Sequence, residues 1–265
     1  MSSAFIITDL EGTAGVTSFA DEAYPDARYL DRSRRLATAE LNAAVTALVD
    51  AGVSDILVWD GHGCGGLWYE DLHPAAQLMH GLPLAPFSVI DPIVDAYDVG
   101  LIVGQHARAG VRSSNMNHTQ SSRSIDSLTL NGAPIGEIAQ SALYRGDAGM
   151  PFVFLSGESA ACEEASEVVP EIVTASVKRG LSRGSAISLS PARARALIRD
   201  GVREAVLQHR SRPVAPTVWP GPYVLEKRYF HTDAADASGA LPGAERVDDQ
   251  TVRFRSESIR SIVYR

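Results

Sequence analysis

The sequence predicts an α/β fold, a mostly parallel sheet covered by helices, with a smaller C-terminal α+β part. Short apolar, β-branched runs alternate with segments of helical periodicity up to residue 184, which is the pattern of β-α-β units. Beyond that residue the pattern changes to a helix, a proline-rich stretch and separate extended segments. The chain of 265 residues is long enough for two unequal domains, and we predict them over residues 1–184 and 185–265.

The first predicted strand, within residues 5–15, is an apolar run that ends in Asp9 and Glu11 beside a glycine. Because side chains alternate along an extended chain, both carboxylates are expected on one face. Like charges on one face repel each other unless a cation lies between them, but an acid beside a glycine often only caps a loop or a helix. From this stretch alone, a cap and a metal site are both open.

The other elements follow in order. Helical spacing over residues 31–51 ends at Gly52, a typical helix stop. Asn131-Gly132 behind an alternating run predicts a hairpin. Further strands are predicted over 55–59, 99–104, 152–155, 172–174 and 186–189, helices over 135–145, between the strands at 152 and 172, and from Pro191 through Val206, and extended segments over 223–226 and 251–254.

Composition restricts the possible partners. The chain carries 24 Lys and Arg against 32 Asp and Glu, a net charge of −8, so nucleic acid is not an expected partner. No apolar run has membrane-spanning length, and no basic region precedes the first apolar run as in a signal peptide. Only two cysteines occur, far apart in sequence, which argues against a disulfide scaffold and favours a cytoplasmic location.

Metal-type side chains follow three predicted strands: Asp9 and Glu11 the first, His62 the second and His106 the third. Carboxyl ends of parallel strands meet at one edge of a sheet, which is where α/β proteins place their sites. Glu137, at a predicted helix start, could face the same edge. Three carboxylates and two imidazoles suit zinc or a similar divalent ion, and suit two ions that share a carboxylate better than one.

Each of these residues also has a structural interpretation. A histidine after a strand often only hydrogen-bonds a loop, and Glu137 could interact with the helix dipole. Asp60 is expected to orient His62 by accepting its second N–H. Cys64, in the same glycine-rich loop, is more readily a structural thiol than a ligand or nucleophile.

The segment 112–124, which contains His118, ends no predicted strand. The residues alone therefore favour a loop histidine that hydrogen-bonds Asn117 or Thr119.

Five short motifs, in this order and spacing, resemble the zinc-dependent D-aminopeptidase family of the bacterial dipeptide-transport operon: Thr8-Asp9-Leu10-Glu11-Gly12, Asp60-Gly61-His62-Gly63, Gly104-Gln105-His106-Ala107, Asn117-His118-Thr119, and Asn131-Gly132 followed by Gly136-Glu137. Residues 177–183, followed by Ala186 and Pro191, look like a later block of that family. Two positions differ from the family pattern. Ile7 replaces a serine, and Glu158 replaces the aspartate of a Gly-Asp pair.

The resemblance implies a peptidase with two zinc ions (Zn2+) per chain, held in the domain over residues 1–184. The ligands it implies are Asp9, Glu11, His62, His106 and Glu137. It also implies that His118 is a catalytic nucleophile or acid/base, and that the chain forms a homodecamer whose active sites face an inner chamber.

The function predicted from these observations is hydrolysis of short peptides with an N-terminal D-amino acid. Two alternatives are kept: a metal-dependent hydrolase of another amide, and a non-catalytic peptide- or metal-binding protein. A histidine beyond the five ligand candidates argues against simple binding, because storage of a metal does not require an acid/base.

Overall fold

The computed structural model describes all 265 residues and contains two β-sheets. The larger sheet consists of β1 (Ser3–Thr8), β2 (Asp55–Asp60), β3 (Ala76–Met79), β4 (Val99–Gln105), β7 (Phe152–Glu158), β8 (Val173–Ser182) and β9 (Ser185–Ser188). Its strand order is β3-β2-β1-β4-β7-β8-β9, and every pair is parallel except β8 with β9. The strand order reverses between β1 and β4. In open parallel sheets, ligands bind beyond the carboxyl ends of the strands at such a reversal.

The smaller sheet is antiparallel throughout and has the order β11-β12-β10-β5-β6. Its strands are β5 (Ile125–Leu130), β6 (Ala133–Pro134), β10 (Tyr223–Tyr229), β11 (Glu245–Arg246) and β12 (Thr251–Ser256). The β5–β6 hairpin turns at Asn131 and Gly132, both with positive φ, as the sequence predicted.

Seven α-helices complete the fold: α1 (Leu30–Asp50), α2 (Phe87–Val94), α3 (Glu137–Gly146), α4 (Ser159–Val168), α5 (Pro191–Ser211), α6 (Thr232–Gly239) and α7 (Ile259–Ile262). A π-helical turn at Phe19–Ala23 and a 3-10 turn at Tyr69–Asp71 lie in the connections. No helix combines the length and the apolar character that crossing a bilayer requires. The predicted fold class is confirmed.

Helix α3 lies between the two hydrophobic cores. Ile138 and Ala142 belong to the core of the larger sheet, and Ala139 and Leu143 belong to the core of the smaller sheet. Every residue from Ile138 to the end of this helix is therefore buried. The helix is held on both sides, which fixes the position of Glu137 at its first turn.

The sequence missed β3, α2, α6 and α7, which are short or weakly periodic. It was also wrong about the first strand, which ends at Thr8, so that Asp9 and Glu11 lie in the turn that follows. The turn after the strand therefore brings the two carboxylates into one site, and the alternation of side chains along a strand does not.

The division into domains over residues 1–184 and 185–265 stays a prediction. The smaller sheet takes β5 and β6 from before residue 184 and the rest from after it. Conversely, β9 and α5 pack with the larger sheet, where Phe154 lies against Gly201 of α5. The change of sequence pattern near residue 184 does not coincide with a change of sheet, because each sheet takes strands from both sides of it.

Candidate metal centre

The site is built on an unusually close approach of three backbone segments at the carboxyl edge of β1, β4 and β7. A Cβ atom on either Gly12 or Gly157 would overlap the backbone carbonyl of Gln105, and one on Gly104 would overlap the carbonyl of Asp9. Hydrogen bonds fix this contact, since Asp9 N–H donates to the Val103 carbonyl at 2.9 Å and Gly12 N–H to the Gly104 carbonyl at 2.7 Å. The absence of side chains here brings the residues that follow β1 and β4 within reach of each other.

Carboxylates and imidazoles alternate across this edge. His62 Nε2 lies 3.4 Å from Glu11 Oε1, and His106 Nε2 lies 3.1 Å from Asp9 Oδ2. On its other side, His106 Nε2 lies 3.6 Å from Glu137 Oε2. The structure thus brings together all five residues implied as ligands, from three strand ends and one helix start.

His118 joins the same group. Its Nε2 atom is 4.0 Å from Glu137 Oε1, and its ring stacks on that of His106 with 3.9 Å between centroids. The donor atoms of His106, His118 and Glu137 lie within 4.8 Å of one another, as do those of Asp9, Glu11 and His106. By distance alone, His118 is as well placed to bind a metal as to transfer a proton.

The hydrogen bonds of the two stacked histidines indicate what the centre is built to hold. His106 Nδ1 lies 2.9 Å from the Ala107 carbonyl, and His118 Nδ1 lies 3.0 Å from the Met116 carbonyl. A carbonyl oxygen only accepts, so Nδ1 carries a proton, and each ring in its neutral form directs the Nε2 lone pair at carboxylate oxygens. His106 Nε2 and Glu11 Oε2 are accordingly buried without a hydrogen-bond partner. Facing lone pairs of nitrogen and oxygen fit a divalent cation between them.

The carboxylates of the site are buried close to one another and to the imidazoles, which shifts their pKa values. Burial raises the pKa of Asp9 to about 7, and the nearby Glu11 adds to this shift. Burial acts in the same direction on Glu137, but its contact with His106, which in the absence of a metal is favoured in its protonated form, outweighs burial and lowers the pKa of Glu137 to about 2. A bound metal ion would favour the ionised form of every carboxylate in the group.

Two buried lysines hold the loops that carry the acids. Lys178 of β8 donates from Nζ to the backbone carbonyls of Glu11 and Val16, the latter at 2.6 Å. Burial lowers the pKa of Lys178 to about 8. Lys227 of β10 donates to Gln120 Oε1 at 2.7 Å, and Gln120 N–H donates to Glu137 Oε1 at 2.6 Å. The smaller sheet thus supports the carboxylate that α3 supplies.

Glu158, at the end of β7, fixes the segment that carries His118. It is fully buried and accepts from Ser114 Oγ at 2.6 Å, from Gly180 N–H at 2.9 Å and from Asn115 N–H at 3.2 Å. The acid that replaces the family's aspartate therefore acts as an anchor for the loop, outside the group of ligand candidates.

Two local predictions were wrong. Asp60 does not contact the His62 ring, because its carboxylate accepts the N–H groups of Gly66 and Leu67 and closes the glycine-rich loop. His118 bonds the carbonyl of Met116, where Asn117 or Thr119 was expected. Both errors arise because backbone groups in tight loops compete for side-chain partners, which residue type alone does not reveal.

The two cysteines are free. The Cys64 thiol donates to the Ala23 carbonyl at 3.4 Å and lies 3.7 Å from His62 Nδ1, and Cys162 is buried in α4. The other four histidines, His73, His80, His209 and His231, lie outside the site.

Sequence reasoning missed the supporting residues Lys178, Lys227 and Gln120. One signal was available for Lys227, since β10 alternates and this lysine occupies the buried face with Tyr223, Leu225 and Tyr229. A buried ammonium group is unfavourable unless it is hydrogen-bonded, so a lysine on an apolar face indicates a nearby buried acceptor.

The centre opens into a cavity of about 470 Å³. Apolar side chains form part of its wall, among them Ile7, Trp59 and Leu82, so the position at which the family has serine is here an apolar wall residue. Tyr24, Arg123 and Tyr264 also line the cavity. Its size and its mixture of apolar walls with a polar floor suit a small organic substrate.

Comparison with known proteins extends the resemblance to the whole chain. The family model described as D-aminopeptidase matches residues 3–264. A D-aminopeptidase of Bacillus subtilis (strain 168) is 30% identical over 262 residues, covering 96% of this chain and 92% of the relative. The solved structure of the Zn-dependent D-aminopeptidase DppA from Bacillus subtilis, a self-compartmentalizing protease, superposes with a TM-score of 0.89 at 28% identity, covering 99% of this chain and 94% of that chain.

Substitution of Lys178 tests whether the lysine positions the Glu11 loop. Lys178→Met keeps most of the side-chain volume but removes both hydrogen bonds to that loop, so we expect a folded protein that binds zinc about 10–100-fold more weakly. Competition with a chelating dye measures this affinity. Arg179→Met, at an exposed position of the same strand, is the matched control and should bind as the unmodified protein does. Equal affinities in the two variants would contradict the positioning role.

Proposed function

The chain belongs to the D-aminopeptidase family and is a metallo-aminopeptidase, and we propose that it uses two zinc ions to remove a D-amino acid from the N-terminus of short peptides. The observation that best supports this is the buried row of imidazole nitrogens and carboxylate oxygens whose lone pairs face one another. A row of this length offers donors for more than one ion. The zinc dependence of the similar solved structure supports the choice of metal.

The contacts divide the ligand candidates into two sets. Glu11 and His62 form one pair, and His106 and Glu137 form the other. Asp9 contacts His106 and belongs to the same group of donor atoms as Glu11, so it is the carboxylate that both sets would share if two ions were bound. When bound, two zinc ions lower the pKa of a water and polarise the scissile carbonyl.

The protein itself supplies the proton transfer. His118 Nδ1 is occupied by the Met116 carbonyl, so Nε2 is the atom that accepts a proton from the attacking water or returns it to the leaving amine. Burial and the neighbouring His106 lower the pKa of His118, which keeps this nitrogen available as an acceptor.

The direct test combines metal analysis with a peptide assay. We expect about two zinc ions per chain in the purified protein. Asp9→Asn removes the shared carboxylate and is expected to retain about none. The unmodified enzyme is expected to release alanine faster from D-Ala-D-Ala than from L-Ala-L-Ala. Retention of two ions in Asp9→Asn would contradict the assignment of Asp9 as the shared ligand. Cleavage of other amides but no D-dipeptide would favour a different hydrolase, and metal binding without any turnover would favour a binding protein.

We further propose that the chain assembles into a closed homo-oligomer, a decamer, with its active sites facing an inner chamber. The self-compartmentalizing character of the similar solved structure supports this, and closed rings are a common solution for repeated interfaces. Light scattering at micromolar concentration is expected to give a mass near ten times that of the 28.3 kDa chain. A mass of one chain would contradict the assembly while leaving the peptidase assay unaffected.

Substitution of His118 separates its two possible roles. If it transfers a proton, His118→Ala keeps the fold and both metal ions and lowers kcat by roughly 10²–10⁴-fold, with KM nearly unchanged. Steady-state kinetics together with metal analysis of the same preparation measure both effects. Loss of metal would make His118 a ligand, and near-normal turnover would make it a structural residue.

A further inference from the structure

We propose that Arg123 binds the C-terminal carboxylate of the peptide substrate, so that the enzyme acts on short peptides with a free C-terminus. This rests on the proposed function of the same site. Arg123 is the single Lys or Arg side chain among the 23 residues that line the cavity. The candidate metal ligands Asp9, Glu11 and Glu137 line the same cavity. A peptide whose scissile bond lies at the metal centre can therefore direct its C-terminal carboxylate at this arginine.

The guanidinium of Arg123 has no partner in the protein. It makes no ion pair and donates no hydrogen bond, and its carbon lies 3.9 Å above the centroid of the Tyr24 ring. Stacking covers one face of the guanidinium and leaves the N–H groups at its edge free to bind a planar carboxylate. Arg183 is different, because it stacks on Phe19 but donates to the carbonyls of Asn117 and Ser122.

The surroundings of Arg123 hold it in place. Ser121 Oγ accepts the N–H groups of Arg123 at 3.4 Å and Ser124 at 3.1 Å, which closes a tight turn before β5. Tyr24, the ring below the guanidinium, is fixed in turn by a hydrogen bond between its hydroxyl group and Ser122 Oγ at 3.1 Å. The arginine is therefore presented by a braced turn, and the serine hydroxyls that line the cavity beside it add further donors for an anion.

The distance from the metal centre fits a short peptide. Gln120, whose N–H binds Glu137, is three residues before Arg123, so their Cα atoms are at most about 11 Å apart. A row of contacting rings, His106, His118, Phe19 and Tyr24, runs from the metal centre to the ring below Arg123, with His118 and Phe19 meeting edge to face. An extended peptide advances about 3.3–3.6 Å per residue, so a chain of two or three residues is long enough to cover this distance.

The test compares two substrates that differ only in the group at the C-terminus, D-Ala-D-Ala and its C-terminal amide. We expect the unmodified enzyme to prefer the free acid, and Arg123→Ala to lose about 10- to 100-fold in kcat/KM for the acid, mainly through KM, while its kcat/KM for the amide is unchanged. Arg28→Ala is the matched control, because Arg28 is an exposed arginine stacked on a tyrosine at 4.4 Å but lies outside the cavity.

Each outcome decides one of the two proposals. Equal loss on both substrates in Arg123→Ala, or no preference for the acid in the unmodified enzyme, would overturn the carboxylate site while the peptidase function stands. Cleavage of neither substrate by the unmodified enzyme would overturn the proposed function and this inference with it.

Discussion

The backbone contact around Gln105 is the constraint on which the rest of the site depends. Side chains at Gly12, Gly104 or Gly157 would separate β1, β4 and β7 at their carboxyl ends. With glycine at all three positions, the turn that holds Asp9 and Glu11 lies directly against the end of β4, and His106 follows at once. Carboxylate and imidazole atoms then meet at 3–4 Å without long flexible side chains, so little conformational entropy is lost when the donors are held in place.

Close contact alone does not hold like charges together, and the rest of the fold supplies the support. Lys178 fixes the loop of Glu11 from β8, and Lys227 reaches Glu137 through Gln120 from the smaller sheet. Both lysines are nearly or fully buried, which is unfavourable unless their ammonium groups are hydrogen-bonded. The second sheet is thus part of the construction of the centre, and its link to the first sheet is the helix that carries Glu137.

The sequence was informative where topology alone determines position. His62 and His106 were expected at one edge because parallel strands end there, and that is where they lie. The sequence did not predict side-chain contacts between distant parts of the chain. The partner of Asp60, the turn that orients Glu11 and the pairing of Lys227 with Gln120 depend on loop conformation and on a second sheet whose strands come from separated segments. The stacking of Arg123 on Tyr24 is likewise not predictable from the sequence, since the two residues are 99 positions apart.

The order of these parts along the chain has a consequence for how the enzyme matures. Every candidate donor, from Asp9 to Glu137, precedes β7, whereas Glu158, Lys178 and Lys227 all follow the start of that strand. During translation all of the candidate donors are therefore synthesised before Glu158, Lys178 and Lys227, which hold the loops in place. A nascent chain that ends before β7 carries the candidate donors without the buried groups that position them, so the donors and their support are separated in time.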